Sequence, residues 1–146
     1  MNERTVFQSM SQKQILSLGP NASVWDAACV MTRANASSVL VLDLPGTLLG
    51  IVTERDLMTR VLAKALDPAK TKLSDVMTPN PLCVPPETLV SDAVVIMIER
   101  GFRHLPIVEG GSKILGVFSV RDALPREIGN ALSMAEFNEQ VNDALG

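Results

Sequence analysis

The chain has 146 residues, enough for one compact domain; 47% of them are hydrophobic and only 3% are aromatic, so we expect an aliphatic core. The net charge is −3, and the basic residues are scattered rather than arranged in a stripe, which argues against a nucleic-acid-binding surface. No apolar signal sequence follows Met1, and the most apolar stretch, residues 38–53, is interrupted by Asp43, Pro45 and Gly46, which argues against a membrane span.

The first half of the chain is predicted to contain three strands and two helices. A short extended segment, Ile15–Leu18, is followed by turn residues and by a helix, Val24–Ala34, whose apolar residues recur at helical spacing. Two strands, Ser38–Leu42 and Leu48–Thr53, flank a five-residue link with Pro and Gly, which suits a hairpin. A second helix is expected from Glu54 to about residue 66.

The second half repeats this order of elements. An extended segment is expected at Leu82–Val84, a helix at Leu89–Arg100, and two strands at Leu105–Val108 and Ile114–Ser119. The helix that follows meets Pro125, which has no amide hydrogen to donate, so we expect an interruption there and a new start near residue 126.

The C-terminal tail, from about Ser133 to Leu145, is expected to form an amphipathic helix with four apolar residues on one face: Met134, Phe137, Val141 and Leu145. We therefore divide the chain into a first repeat with an N-terminal arm (residues 1–70), a second repeat (residues 71–128) and a helical tail (residues 129–146).

The two halves share a motif as well as an order of elements. Residues 50–56 and 116–122 both consist of Gly, two apolar residues, a hydroxyl residue, a variable residue and Arg-Asp, at an offset of 66 residues. A fixed offset indicates an internal repeat. The order β-α-β-β-α, found twice, predicts an α/β fold of the α+β kind, in which two repeats pack sheet to sheet about a pseudo-twofold axis.

The chain has two cysteines, Cys29 and Cys83, and one histidine, His104. These residues show no metal-ligand spacing, so we expect no metal site and no metal requirement for the fold. Cys29 lies on the apolar side of a predicted helix, which is typical of a small buried hydrophobic residue. Reduced cysteines are the default in the cytoplasm, where we expect the protein to be located.

Together with the Val76-Met77-Thr78 start of the second copy and the segment Gly101–Val108, the two motifs closely resemble those of a tandem pair of cystathionine-β-synthase (CBS) domains, also called a Bateman module, of the bacterial stand-alone type. The resemblance extends over residues 15–124. It implies that the protein binds adenine nucleotides or related adenosyl ligands and dimerises into a flat disc.

The residue types of the two motifs suit such a ligand. Thr53 and Ser119 lie where a strand ends and a helix begins, and a helix N-terminus offers amide hydrogens to a phosphate group. Asp56 and Asp122 follow three residues later, and an ionised carboxylate can accept hydrogen bonds from both vicinal hydroxyls of a ribose. The alternative is a capping box, in which the hydroxyl and the acid serve only the start of the helix.

The resemblance also implies phosphate contacts close to the second strand of copy two. Arg103 and His104 lie just before this strand, and a planar guanidinium suits a phosphate group. The alternative is a solvated Arg103 beside a half-buried His104. The first copy has Ser37 and Ser38 at these positions, so the two pockets should differ in charge. The phosphate-binding candidates are Thr53, Arg55, Ser119, Arg121, Arg103 and His104.

An adenine ring would need an apolar slot with backbone donors and acceptors. The candidates are Leu16, Leu18, Ser38, Val39 and Ile51 in the first copy and Leu82, Val84, Leu105, Pro106 and Val117 in the second. For most of these residues the alternative is a place in the ordinary hydrophobic core.

These patterns predict a homodimeric regulatory protein that binds AMP, ADP or ATP, senses the energy state of the cell, and signals to an effector protein in trans, since we expect no fused effector domain. NAD(H) and S-adenosylmethionine are alternative ligands, and a ligand-free dimerisation module is an alternative of another class. An enzyme is disfavoured because the motifs contain no nucleophile–base pair, metal cluster or paired carboxylates. We expect no nucleic-acid or membrane partner.

Overall fold

The computed structural model of the chain describes residues 3–10, 14–44 and 46–145, which fall into two packed units. One unit is formed by residues 15–81, and the other by residues 82–145 together with residues 3–10 and 14. Each unit combines helices and strands around its own hydrophobic core, so the predicted α+β class is confirmed.

The elements are numbered here in chain order. They are α1 (Val6–Ser9), β1 (Ser17–Leu18), α2 (Val24–Ala34), β2 (Ser38–Leu42), β3 (Leu48–Thr53), α3 (Glu54–Asp56) with a π-helical continuation (Leu57–Leu62), α4 (Leu73–Val76), β4 (Thr78–Pro79), α5 (Val90–Arg100), β5 (His104–Glu109), β6 (Lys113–Ser119), a 3-10 turn (Val120–Asp122) and α6 (Pro125–Leu145).

Each unit is built around a β-hairpin. In the unit of residues 15–81 the strand order is β1-β2-β3-β4, with β1 parallel to β2 and the other neighbours antiparallel. In the other unit β5 and β6 form an antiparallel pair. The parallel β1–β2 pair follows from the helix that connects these strands, because a parallel pair needs a crossover connection. Helix α2 and strands β2 and β3 have the predicted bounds.

The extended segment expected at Leu82–Val84 is not a strand. Val84 makes a single parallel bridge to Ile107, and the next two residues are both proline, which cannot donate a hydrogen bond to continue a ladder. β1 is likewise shorter than predicted. The sheet of the second copy therefore consists of β5 and β6 alone, with Val84 bridged to β5 beside them.

The helix expected from Glu54 to about residue 66 is α-helical only in α3. It then widens into a π-helix at Leu57–Leu62, and the amide of Ala63 donates to the carbonyl of Met58, five residues back, at 2.9 Å. π-Helical turns of this kind occur frequently at functional sites.

The C-terminal tail does not form a separate helix. It belongs to α6, which begins at Pro125, where the fixed φ of proline suits the first helical position and its missing amide hydrogen is not needed. Ala131 joins the core together with residues of α5, whereas Met134 and Phe137, on the predicted apolar face, are 52% and 60% exposed. The predicted helical tail is therefore present as the later part of α6, and its apolar face is largely exposed because α6 continues past the core.

The short helices α1 and α4 are equivalent elements that the sequence comparison did not identify. Each has four residues and is followed directly by a methionine, Met10 or Met77. The Val6 amide donates to the carbonyl before the N-cap of α5 (2.8 Å), and the Leu73 amide donates to the corresponding carbonyl before α2 (2.9 Å). The N-terminal arm, which the sequence assigned to the first repeat, therefore packs in the unit of the second repeat.

The two methionines pack over the glycines that begin the motifs. A Cβ atom on Gly50 would lie 2.5 Å from Met77 Sδ and 2.8 Å from the carbonyl oxygen of Thr78, and one on Gly116 would lie 2.9 Å from Met10 Sδ. Glycine is therefore needed at these two positions, inside β3 and β6, for the close packing of a neighbouring segment.

We expect Gly50→Ala to lower the free energy of unfolding by about 1–3 kcal/mol, because the added methyl group overlaps the Thr78 backbone, which cannot turn away as a side chain can. Gly129→Ala is the matched control, because its Cβ atom would have no neighbour within 4 Å and it lies in α6. This control should be neutral or stabilising by up to about 1 kcal/mol. Denaturant unfolding of both variants measures the difference, and equal stabilities would contradict the close packing.

Candidate functional site

The first motif ends where β3 passes into α3. The Thr53 amide donates to Asp56 Oδ2 at 2.9 Å, and the Asp56 amide donates to Thr53 Oγ1 at 3.3 Å. Asp56 is only 9% exposed, and its other oxygen, Oδ1, lies 3.6 Å from Nε of Arg60. The capping box is therefore present, and one carboxylate oxygen lies outside it and faces a cation.

The second motif has the same arrangement with a tighter turn. The Ser119 amide donates to Asp122 Oδ2 at 3.2 Å, and the Arg121 amide donates to Ser119 Oγ at 3.3 Å. The 3-10 turn that holds these residues is only three residues long, and Asp122 is half-buried.

In each copy, a backbone hydrogen bond connects the motif to the residue just before the first strand of the hairpin, β2 or β5. The Glu54 amide donates to the Ser37 carbonyl at 3.1 Å, and in the second copy the Val120 amide donates to the Arg103 carbonyl at 3.1 Å. Across the ladders, Ser38 pairs with Thr53 and His104 with Ser119. The motif hydroxyls are thus beside the strand-start residues selected from the sequence.

The basic candidates differ in exposure. Arg103, Arg55 and Arg121 are exposed, and His104 is half-buried. These positions suit both the phosphate-contact interpretation and its solvated alternative, so the phosphate role stays a prediction. The first copy has Ser37 and Ser38 where the second has Arg103 and His104, and the difference in charge between the two pockets stays a prediction.

The apolar candidates of the first copy lie on two faces of the sheet. Leu16, Leu18 and Val39 pack in the core with the residues of α2. Ile51 and Ser38 lie on the opposite face, because successive residues of a strand point to opposite sides. This second face also carries Thr53, so it is the face that the motif shares.

The second copy divides in the same way. Val84 and Leu105 belong to the core cluster, whereas Pro106 and Val117 form a cross-strand pair on the face of Ser119. Leu82 is 42% exposed and precedes the bridge. The candidate adenine residues thus separate into core members and members of the second face, and their contact with a ligand stays a prediction.

Two basic residues that lie beside the acids were not identified from the sequence. In the first copy, Arg60 donates to the carbonyls of Val76 and Met77 at the end of α4 (2.9 and 3.1 Å) and faces Asp56. Its position four residues after Asp56 in a helix was a usable signal.

In the second copy the neighbour is Arg4, from the N-terminal segment. Its Nη2 donates to the Asp122 carbonyl at 3.0 Å and to Glu127 Oε1 at 2.7 Å, and its Nε donates to Glu127 Oε2 at 3.2 Å. Glu127 is 5% exposed. Because 123 residues separate the two partners, no local pattern could have shown this pair.

The ion pair shifts the pKa values of both of its members. The hydrogen bond from Arg4 holds the pKa of Glu127 below its ordinary value, and the same bond raises the pKa of Arg4. Elsewhere, burial raises the pKa of the Cys83 thiol, so this cysteine has little thiolate at neutral pH.

No three His, Cys, Asp or Glu side chains lie close enough to hold a metal ion within residues 3–10, 14–44 and 46–145. In the same part of the chain, no helix combines the length and the apolar character needed to cross a membrane.

Comparison with known proteins finds two matches to one family model. Residues 7–63 and 73–127 each match the model described as CBS domain. A CBS domain-containing protein of Arabidopsis thaliana is 39% identical over 112 residues, which cover 77% of this chain and 21% of that protein. The chain thus spans about a fifth of the length of this plant relative.

Solved structures show the same architecture. A CBS-domain containing protein from Agrobacterium tumefaciens has 28% identity and a TM-score of 0.74, with 81% of this chain and 89% of that chain covered. A CBS domain protein from Pyrobaculum aerophilum, solved in complex with AMP, has a TM-score of 0.77 with 90% and 100% covered. At 21% identity the second likeness establishes the fold alone.

Proposed function

The chain belongs to the CBS domain family, and on that premise we propose that it is a regulatory protein that binds an adenine nucleotide, AMP, ADP or ATP. The observation that supports this best is the repeated acid: each copy holds an aspartate at the end of the sheet by one carboxylate oxygen. The AMP complex of the Pyrobaculum aerophilum neighbour supports the ligand class.

The ribose would bind to the aspartates. In the first copy Oδ2 of Asp56 serves the capping box, and Oδ1 lies 3.6 Å from Arg60 Nε, beyond an ordinary hydrogen-bond distance. Oδ1 can therefore accept a hydrogen bond from a ribose hydroxyl without disrupting the helix start. Asp122 would have the same role in the second copy.

The phosphate groups would bind to the hydroxyls and the basic residues. Thr53 Oγ1 and Ser119 Oγ accept backbone amides, and a hydroxyl that accepts still has its own hydrogen to donate to a phosphate oxygen. In the second copy Arg103 and His104 add positive or donating groups. The base would then contact the second-face residues, supported by the core members behind them.

Calorimetric titration of the purified chain with AMP, ADP, ATP, NAD(H) and S-adenosylmethionine tests the proposal. We expect binding of at least one adenine nucleotide, and native mass spectrometry should show any ligand that co-purifies. If none of the five binds, the proposal is wrong and the alternative of a ligand-free dimerisation module is favoured.

Arg103→Ala should weaken binding of ATP and AMP by about tenfold while leaving adenosine binding unchanged, because a charge-assisted hydrogen bond to phosphate is lost. Arg100→Ala, at the exposed end of α5, is the matched control for removing a positive charge nearby. Equal losses for adenosine and the nucleotides, or equal losses in both variants, would exclude a phosphate contact by Arg103.

We also propose that the protein is a homodimer formed through helix surfaces. Three large apolar residues on the helical segments of the first copy are exposed, Trp25 at 57%, Met58 at 56% and Leu62 at 76%. Leu62→Glu should shift the mass measured by light scattering from dimer to monomer, whereas Leu44→Glu, in the β2–β3 loop and 98% exposed, should not. A monomer mass for the unmutated chain at micromolar concentration would refute the dimer.

The output of the module is proposed to act in trans on an effector protein in the cytoplasm, where Cys29 and Cys83 would stay reduced. This output requires the module to exist in two conformational states, and a ligand can shift the equilibrium between them only as far as its affinities for the two states differ. If one protein is captured from lysate by the chain only when nucleotide is present, and is not captured by the double variant Asp56→Ala/Asp122→Ala, this proposal is supported.

A further inference from the structure

We propose that Arg4 is a positioning residue for Asp122, so that nucleotide binding by the second copy, and not by the first, depends on the N-terminal segment. This inference rests on the proposed function, because it concerns one of the two candidate ribose sites.

Arg4 connects three parts of its unit: the N-terminal segment, the 3-10 turn of the second motif and the start of α6. One guanidinium group contacts the carbonyl of Asp122 (3.0 Å) and both carboxylate oxygens of Glu127 (2.7 and 3.2 Å). A planar fork of donors can hold two partners in a fixed relation, which a lysine cannot do. The 3-10 turn of the second motif is therefore tied to the start of α6 through Arg4.

The backbone of Arg4 is itself held in place. Its carbonyl accepts the amide of Val90, the first residue of α5, at 3.0 Å. Two residues later Val6 is fully buried in the core of the same unit. The backbone from which the guanidinium extends is therefore held by a hydrogen bond and by a buried neighbour.

Glu127 accepts hydrogen bonds both from Arg4 and from the chain just before α6. Its Oε1 accepts the amide of Leu124 at 2.7 Å, which stabilises the residue before Pro125 and the beginning of α6. Two residues, Ala123 and Leu124, link Asp122 to α6 without helical structure. The Val120 amide ties the beginning of the turn to the Arg103 carbonyl, and because the turn does not continue into a helix, the hydrogen bond from Arg4 to the Asp122 carbonyl ties its end to the start of α6.

The first copy has a different arrangement after its aspartate. There Asp56 is followed directly by the π-helix, and Arg60 of that helix faces the acid. The residue at the position of Arg4 is Thr71, whose hydroxyl donates locally to the Asp67 carbonyl at 2.8 Å. The dependence on an N-terminal arginine is therefore specific to the second copy.

Titration with AMP of variants in which one aspartate is replaced separates the two copies. In the Asp56→Ala background we expect Arg4→Gln to weaken the remaining site on the order of tenfold, and Arg4→Lys to restore only part of the loss. In the Asp122→Ala background, Arg4→Gln should leave AMP affinity unchanged.

Two further measurements keep the inference testable if Arg4→Gln folds poorly. The double variant Arg4→Gln/Glu127→Gln removes both charges, so it leaves no buried unpaired carboxylate, and it should show the same loss of AMP affinity. In the ligand-free protein, hydrogen exchange of the Ser119 amide, which donates to Asp122, should be faster in both variants.

Val6→Ala is the matched control, because it weakens the core of the same segment and does not touch Asp122. It should lower the melting temperature and keep the AMP affinity of the second copy. An equal loss of affinity in Val6→Ala, or unchanged affinity in Arg4→Gln, would overturn the inference alone. Failure of the unmutated chain to bind AMP or any other adenosyl ligand would overturn the proposed function and this inference with it.

Discussion

Asp56→Ala should weaken AMP binding by the first copy about ten- to a hundredfold, because a hydrogen bond to a charged acceptor contributes about 1.5–3 kcal/mol. The proposed acceptor is Oδ1, since Oδ2 is occupied by the Thr53 amide. Calorimetric titration in the Asp122→Ala background, where only the first copy retains its acid, measures the loss. Asp122→Ala should have the corresponding effect on the second copy.

The control for this prediction is Glu54→Ala, which removes an exposed acid from the same first turn. It should leave AMP affinity within about twofold of the unmutated value, because surface substitutions have small effects. Deoxyribose analogues should bind less well to the unmutated chain and show little further loss in Asp56→Ala. A lowered melting temperature with unchanged affinity would instead establish that Asp56 is only a helix cap, worth about 0.5–2 kcal/mol.

Arg4→Ala should lower the free energy of unfolding by about 2–3 kcal/mol at neutral pH, because it leaves the carboxylate of Glu127 buried without its cation. This value is at the low end for a buried pair, since the Arg4 side chain is 29% exposed and water screens part of the interaction. Denaturant unfolding measures it, with Arg4→Gln/Glu127→Gln as the control that removes both charges. Equal stabilities of Arg4→Ala and the unmutated chain would contradict the prediction.

The same ion pair should make stability depend on pH. The pKa of Glu127 in the folded chain is held below its ordinary value of 4.5, chiefly by the hydrogen bond from Arg4. A depressed pKa contributes stability that is fully present above 4.5 and is lost as the pH falls through the folded-state pKa. The unmutated chain should therefore lose more stability than Arg4→Gln/Glu127→Gln between neutral pH and about pH 3. Parallel curves for the two proteins would show that the pair does not contribute.

The sequence alone determined the repeat, the family resemblance and the regular elements that depend on local patterns. The apolar spacing of α2 and the Pro-Gly link between β2 and β3 identify elements whose bounds are those observed. The hydroxyl and acid of each motif were placed correctly at a strand end, because a capping box is a contact between residues three apart. Such contacts follow from neighbours along the chain, so a sequence pattern can predict them.

The tertiary structure alone decided which faces the candidate residues occupy and which distant groups meet them. Strand alternation separates Val39 from Ile51, but only packing against α2 shows which of them lies in the helix-side core. The equivalence of α1 with α4 was hidden because their residue types differ, although the methionine that follows each packs over a motif glycine. The ion pair of Arg4 with Glu127 depends on the N-terminal segment packing in the unit of the second copy, and contacts across 123 residues are set by the fold rather than by any local pattern.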